Sequence, residues 1–425
     1  MKTILLLGAG KSATVLIDYL IATVKENNWK FIVADSDREQ VLSKTNHSPF
    51  AEAAALDVTN DKQRSDLIQK AHVVISMMPP ALHFLVAKDC VEYRKHLLTA
   101  SYIDNKIRSL LEEIKQKKLL FLCEMGLDPG IDHMSAMKII HEIKEAGGHV
   151  TSFKSHCGGL VAPESDNNPW HYKISWNPRN VVLAGKAGAE YKLNNAIVHK
   201  DYAALFTDCS EVTVDGLGSL AIYPNRDSLS YMTPYKLEDA TTFIRTTLRY
   251  PSYCKGWNAI VQSGLANEID GIDANGLTFK KWSEPVLPFV NETNKSMLEF
   301  LGLFEEVVVP ATAKTSADVL QYLLETNLAM QPADKDMIVM LHEIEFETAD
   351  GRKKKIESSL IVKGEDSLRT AMAKTVGLPL GIAAKLILED KIHLTGVHMP
   401  VHKEIYEPVL KELEKFGVVF REIEK

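Results

Sequence analysis

The sequence predicts an α/β protein with an N-terminal Rossmann domain, a doubly wound parallel sheet, followed by a second α+β domain on a mixed sheet. Three observations carry this prediction. Through the first 125 residues, short apolar runs alternate with longer amphipathic stretches. A glycine-rich turn joins the first run to the first helix. Beyond the Gly/Pro interruption at GLDPGIDH (126–133) the strand-like runs lengthen and change character.

Six runs read as strands of the first domain: KTILLL (2–7), FIVAD (31–35), AAALDV (53–58), HVVISM (72–77), HLLTAS (96–101) and KLLFLC (118–123). They are short and rich in Leu or β-branched residues, as strands covered on both faces must be. Helical periodicity fills the intervals at 11–26, 61–70, 81–92 and 104–117, and another helix follows over 131–146. From 149 onward HVTSFKSHC, KISW, NVVLAG, SEVTVD, SLAIYP and TTFIRTTLRY read as strands, and two more flank the hairpin-like ADGR at 349–352. Helices are expected near 253–264, 293–303, 315–327 and 366–389. The tail reads as strand, helix (403–416) and strand. Domain boundaries follow as 1–125, 126–390 and 391–425, with the last segment expected to pack back on the first domain.

A chain of 425 residues is too long for one ordinary core. Its 45% hydrophobic and 25% charged content is that of a globular protein, which excludes a disordered or collagen-like chain. A net charge of −7 without a basic block excludes nucleic-acid or anionic-membrane binding as the main role, so any anionic ligand must be met by a few placed cations. Cys90, Cys123, Cys157, Cys209 and Cys254 lie 33 or more positions apart, without metal-ligand spacing, so no metal is expected. The apolar start KTILLL is shorter than a leader, and no apolar stretch of membrane-spanning length is evident. A reducing cytoplasm is the expected compartment.

GAGKSA follows the first strand and opens the first helix, so Gly8, Gly10 and Ala13 fit the G-x-G-x-x-G/A dinucleotide fingerprint. Gly8 permits the tight turn, Gly10 lets the backbone approach a pyrophosphate, and Ala13 allows close packing of helix on strand. With Lys11 and Ser12 they place free N–H groups and the positive helix end at the ligand. Asp35 ends the second strand, 22 positions beyond Ala13, where a carboxylate can accept from the adenosine ribose; Ser36 adjoins it. A carboxylate there repels a 2′-phosphate, so NAD is expected over NADP, with Arg38 as the residue that speaks for NADP. Asp35 reads alternatively as a turn or cap residue. Met77 and Pro79, in the run Met77–Pro80, fall at the carboxyl edge of the sheet, beside a bound dinucleotide or simply as a strand stop.

TASYID (99–104), GLDPGIDHMSAMK (126–138), SHCGGLVAPE (155–164), YKISWNPR (172–179), YPNRDSL (223–229) and TTFIRTTLRY (241–250) are long, unusual strings. With TAMAKTVGLPLGIAAKLIL (370–388) and KEIYEPVLKELEKFG (403–417) they resemble the saccharopine dehydrogenase family of the glutamate-forming type, over essentially the whole chain. The resemblance implies interconversion of saccharopine with glutamate and 2-aminoadipate 6-semialdehyde by hydride transfer at an imine. It also implies a substrate and dimerisation role for the second domain, a homodimer, and a site in the cleft beside the carboxyl ends of the strands. On the same basis Tyr102, Asp128 and Cys157 are assigned to the reacting centre. Ser101, Ser175, Arg226, Arg245 and Thr246 are assigned to the substrate. Guanidinium suits a carboxylate because its planar fork matches the two oxygens. Strand alternation puts Arg245, Thr247 and Arg249 on one face. On the residues alone, Tyr102 also reads as a strand-end tyrosine, Asp128 as a turn residue before Pro129, and Cys157 as a small core residue. Trp176 reads as packing.

GKAGAE (185–190) lacks the Ser/Thr and spacing of a P-loop and reads as a loop. His133 beside Asp132 reads as a cap or core group rather than a dyad. The rival functions are a carboxynorspermidine-type dehydrogenase of the same superfamily and a non-catalytic dinucleotide-binding protein. A single dehydrogenase-like region speaks against fusion with a lysine-ketoglutarate reductase half.

Overall fold

The computed structural model describes residues 1–425, which form two compact units: Met1–Glu142 with Leu368–Val419, and Ile143–Ser367 with Phe420–Lys425. These units do not follow the linear boundaries at 125/126 and 390/391. The helix Ile131–Glu145 begins in the first unit, the helix Ala371–Leu388 belongs to it entirely, and Phe420–Lys425 belongs to the second.

In the first unit all six expected strands form: β1 (Thr3–Leu7), β2 (Lys30–Asp35), β3 (Ala51–Ala55), β4 (Val73–Ser76), β5 (His96–Thr99) and β6 (Leu120–Leu122). With Gly396–His398 they make a seven-stranded sheet in the order 396–398, β6, β5, β4, β1, β2, β3. Every pairing is parallel. From β1 the chain winds one way to β2 and β3 and the other way to β4, so the topological switch point lies between β1 and β4, where such sheets open a crevice at the strands' carboxyl ends.

Alternate residues of these strands enter opposite cores. Leu5, Leu7, Ile32, Ala34, Val74, Leu97 and Phe121 pack with Ile68, Val86, Ala87 and Ile114 from helices on one face. The helix α1 (Thr14–Asn27) and the helix Ala371–Leu388 pack together and on strands of this sheet. Their contact is close because Gly377 and Gly381 lack side chains: a Cβ on Gly377 would lie 2.9 Å from Leu16 Cβ, and one on Gly381 would lie 2.7 Å from the Tyr19 ring. Tyr19 donates to Glu412 at 2.7 Å, and Lys385 pairs with the same carboxylate at 3.0 Å, which ties in the helix Lys403–Leu413. The expectation that no stretch reaches membrane-spanning length is corrected here. Ala371–Leu388 is long and apolar enough, by length and composition, to cross a membrane, yet most of it is buried inside the protein. Two lysines masked its apolar character in the sequence; Lys385 is paired at its end.

The second unit carries a mixed sheet in the order Ser210–Val214, Gly218–Pro224, Thr242–Arg249, His149–Val161, Asp336–Glu347, Lys353–Lys363, Arg421–Glu424. The pair 149–161 and 242–249 is parallel and the other neighbours in this order are antiparallel. Two strand expectations fail. NVVLAG lies in the helix Pro178–Val182, because Asn177 accepts from the N–H groups of Arg179 and Asn180 and Pro178 takes the first helical position, a start signal stronger than the β-branched run. KISW contributes only an isolated bridge, Ile174 to Ala329. A hairpin, Ala189–Leu193 with Ala196–Lys200, was not foreseen; Asn194 and Asn195 turn it at φ of 48° and 68°, the left-handed pair that a two-residue turn requires. Below one sheet face Trp170, Tyr253 and Trp257 anchor a large aromatic core, and Leu160, Leu220, Leu248, Val339 and Leu341 form a smaller one on the other.

Gly377→Ala is expected to destabilise the protein by about 1–3 kcal/mol, the usual cost of overpacking a tight contact. Urea denaturation followed by circular dichroism checks this; an unchanged midpoint would show that α1 can yield.

Candidate active site

In the first unit the functional groups gather where β1, β2, β4, β5 and β6 end. Gly8 has φ of +97°, and a Cβ there would sit 2.9 Å from the Met77 carbonyl oxygen, so the turn after β1 lies directly on the end of β4. The space beside Gly10 is open, with nothing within 4 Å of a Cβ position. Lys11–Ala13 form a 3-10 turn that runs into α1, with Ala13 buried, as the fingerprint requires. Met77 donates its N–H to Leu7, and Pro79 and Pro80 lead into a short 3-10 turn before the helix His83–Glu92.

Asp35 faces back into this turn. Its Oδ2 accepts the Ala9 N–H at 2.7 Å, and its Oδ1 accepts from the Ser36 hydroxyl at 3.1 Å and the Asp37 N–H at 3.2 Å. Beyond it the helix Arg38–Lys44, capped by Asp37, carries cations. The Lys44 ammonium donates to the Gly10 carbonyl. Burial pushes it down to about 8, with Asp35 opposing and Lys11 adding to the shift.

At the ends of β4 and β5 the buried His83 ring lies 2.8 Å from Ser76 Oγ through Nδ1 and 2.8 Å from Ser101 Oγ through Nε2. Tyr102 follows Ser101 and is half-buried. After β6, Glu124 accepts from the Ile103 N–H at 3.2 Å and pairs with His133 at 3.1 Å; both are buried. His133 is therefore a core group paired mainly with Glu124 rather than with Asp132, whose Oδ1 takes the Gly130 N–H at 2.6 Å. Asp128 sits in the Gly126–Gly130 turn, where the Asp128–Pro129 peptide is cis.

In the second unit, parallel register places Cys157 beside Thr247 and Ser155 beside Arg245. Cys157, Arg245, Thr247 and Arg249 thus share a face, and all but Thr247 are buried. The Arg245 guanidinium lies over the Tyr231 ring at 4.5 Å. The loop carrying Arg226 is pinned to Arg245 from both sides: Asn225 N–H donates to the Arg245 carbonyl, and Arg245 N–H donates to Ser228 Oγ. Arg249 lies over the rings of Tyr172 and Tyr253, at 5.4 and 5.3 Å, and donates to the Leu248 carbonyl at 2.8 Å, so it is a packed core cation. Ser175 is buried next to the Ile174 bridge, and Trp176 donates to Tyr172 at 3.2 Å. Thr246 alternates to the other face, where its hydroxyl meets His156 Nδ1 at 2.7 Å; His156 Nε2 lies 3.1 Å from Glu343. The structure does not bring Thr246 to the face of Arg245 and Cys157.

Residues 4–122 match the family model of the saccharopine dehydrogenase NADP binding domain, and residues 126–418 match that of the saccharopine dehydrogenase C-terminal domain. The chain belongs to the saccharopine dehydrogenase family. The saccharopine dehydrogenases [NADP(+), L-glutamate-forming] of Schizosaccharomyces pombe and Saccharomyces cerevisiae are each 32% identical to it over 99% of both chains. The apo saccharopine dehydrogenase (L-Glu forming) structure from Saccharomyces cerevisiae superposes with a TM-score of 0.90 at 30% identity, covering all of both chains. Alpha-aminoadipic semialdehyde synthase from Arabidopsis thaliana is 34% identical over 99% of this chain, which spans only 44% of that relative; its bovine counterpart is spanned over 47%.

These relatives overturn the expected preference for NAD, since the matching domain and the fungal enzymes are named for NADP. The physical reason lies in Asp35: its oxygens are engaged by Ala9, Ser36 and Asp37, so the carboxylate braces the glycine-rich turn. His83 and Lys44 were missed in the sequence. The helix start PALH carries no recognisable motif, and Lys44 lies a full helix beyond the fingerprint.

The His156 ring and then Lys355 hold Glu343 down at about 2. Its folded value lies below the unfolded one, so the stabilisation is present above about pH 4.5 and is lost as pH falls toward 2. Glu343→Gln is expected to cost about 1–3 kcal/mol at pH 7, less at pH 3, when thermal or urea unfolding is compared at the two values.

Proposed function

We propose that this protein interconverts saccharopine with L-glutamate and 2-aminoadipate 6-semialdehyde, using NADP(H), as a step of lysine metabolism. The observation that carries this reading is the agreement, over the full length of both chains, with a saccharopine dehydrogenase of solved structure. In the reductive direction the glutamate amine condenses with the aldehyde, water leaves, and the imine carbon gains hydride; the reverse oxidises the secondary amine and hydrolyses the imine. Bound NADP(H) supplies or accepts the hydride.

The residues present suit that cofactor. The open side of Gly10 gives a phosphate room to approach the amides of Lys11, Ser12 and Ala13 at a helix start. With Asp35 turned inward, Ser36, Arg38 and Lys44 hold the 2′-phosphate, and Met77 and Pro79 border the nicotinamide end. Tyr102, Asp128 and Cys157 move protons at the substrate nitrogen and at the oxygen of the adding or leaving water. Ser101, Ser175, Arg226 and Arg245 take the substrate carboxylates, Arg245 with its guanidinium already held over the Tyr231 ring. Thr246 has no place in this set because it serves His156 on the opposite face. A homodimer belongs to the same reading by family analogy, and a reducing cytoplasm by the five thiols, none of them in a disulfide.

Saccharopine-dependent reduction of NADP, followed by nicotinamide absorbance, is the direct test; turnover is expected with NADP ahead of NAD, and none with either would end the assignment. Arg38→Ala and Lys44→Ala are each expected to raise KM for NADPH by about tenfold with kcat nearly unchanged, as for loss of one charge-assisted phosphate contact. Because the Lys44 cation is lost above about pH 8, KM for NADPH should rise between pH 7 and 9, and the rise should flatten in Lys44→Ala.

A further inference from the structure

We infer that His83 is a positioning residue that turns the Ser101 hydroxyl into a one-way hydrogen-bond donor toward a substrate carboxylate. The inference rests on the substrate role of Ser101 proposed above and adds to it the group that sets the direction of its proton.

His83 is buried at 5% exposure, at the start of the helix that follows β4, and it spans the ends of two adjacent strands. Its Nδ1 is 2.8 Å from Ser76 Oγ on β4. Its Nε2 is 2.8 Å from Ser101 Oγ, just past β5, and 3.4 Å from Thr99 Oγ1. Burial pushes the imidazole down to about 4, against the pull of Asp104, so near neutral pH the ring holds one N–H and one lone pair.

Two tautomers are open to it, and they differ in which hydroxyl is left without an acceptor. With hydrogen on Nδ1, the ring donates to Ser76. The Ser76 proton, fully buried, then has no acceptor, and the single lone pair on Nε2 must serve both Ser101 and Thr99. With hydrogen on Nε2, Ser76 donates to Nδ1 and Nε2–H donates to Ser101. Thr99 then keeps its role as acceptor of the Ser101 N–H at 3.2 Å, and only its own proton is left over. The second arrangement strands fewer buried donors, and each stranded donor carries an uncompensated desolvation cost. In it the Ser101 oxygen is already an acceptor from His83, so its proton points away from the ring. Ser101 is half-buried, and its main chain is fixed as well: its carbonyl accepts the Glu124 N–H at 3.0 Å. What remains is a held oxygen with one outward O–H, which discriminates in favour of an anion and against a donor.

The test combines one spectroscopic and one kinetic measurement. Nitrogen-15 shifts of the His83 ring in the wild-type enzyme should report the Nε2–H tautomer at neutral pH; the Nδ1–H tautomer would overturn the inference without any variant. In kinetics, Ser101→Ala should raise KM for saccharopine about tenfold with a smaller change in kcat. His83→Asn reaches Ser76 and not Ser101, and it should raise KM similarly. His83→Gln, whose amide can reach toward Ser101, should restore most of the affinity. The His83→Asn/Ser101→Ala double variant should be little worse than either single change. If Ser101→Ala raises KM while His83→Asn does not, the positioning role is lost and the Ser101 role stands. If Ser101→Ala itself leaves KM unchanged, the substrate role of Ser101 falls and the inference falls with it.

Discussion

A parallel sheet presents apolar side chains on both faces, and neither can be left in water. In the first unit, one face is met by helices that arise locally, within the strand-to-strand connections, while α1 shares its packing with Ala371–Leu388, a helix that arrives more than 200 residues after the last of those connections. Gly377 and Gly381 let it settle against Leu16 and Tyr19. That contact reaches the glycine-rich turn because the 3-10 turn Lys11–Ala13 runs directly into α1. The long apolar helix and the glycine-rich turn are thus two ends of one packing arrangement, and a helix that by composition could cross a membrane is accounted for as core.

The same economy of placement governs the polar groups. Asp35 shows how a residue in a motif position can be diverted: the position beside the ribose is right, but the nearest donors are the Ala9 N–H of the glycine-rich turn and the Asp37 N–H of its own loop, and they claim the carboxylate. The following helix carries the cations Arg38 and Lys44 next to it. His83 shows the converse, a residue outside any motif that gains two hydroxyl partners because β4 and β5 are neighbours and end at the same level. In the second unit, alternation along one strand separates Arg245 from Thr246 by a whole sheet, sending one to the face of Cys157 and the other into the His156–Glu343 pair.

The six N-terminal strands, their order in the chain, the fingerprint turn and the family were readable from the sequence alone, because buried parallel strands, glycine turns and long idiosyncratic strings leave local marks. Where local signals competed, the reading of NVVLAG followed the β-branched run and missed the stronger Asn177–Pro178 helix start. The sequence could not say where Ala371–Leu388 packs, which way the Asp35 carboxylate turns, that Ser76, His83 and Ser101 form a chain of hydrogen bonds, or that Thr246 faces away from Arg245. Each of these depends on contacts between residues distant in sequence or on the choice of one neighbour among several. A side chain's chemistry is written in its identity, but its partner is decided only when the chain has closed around it.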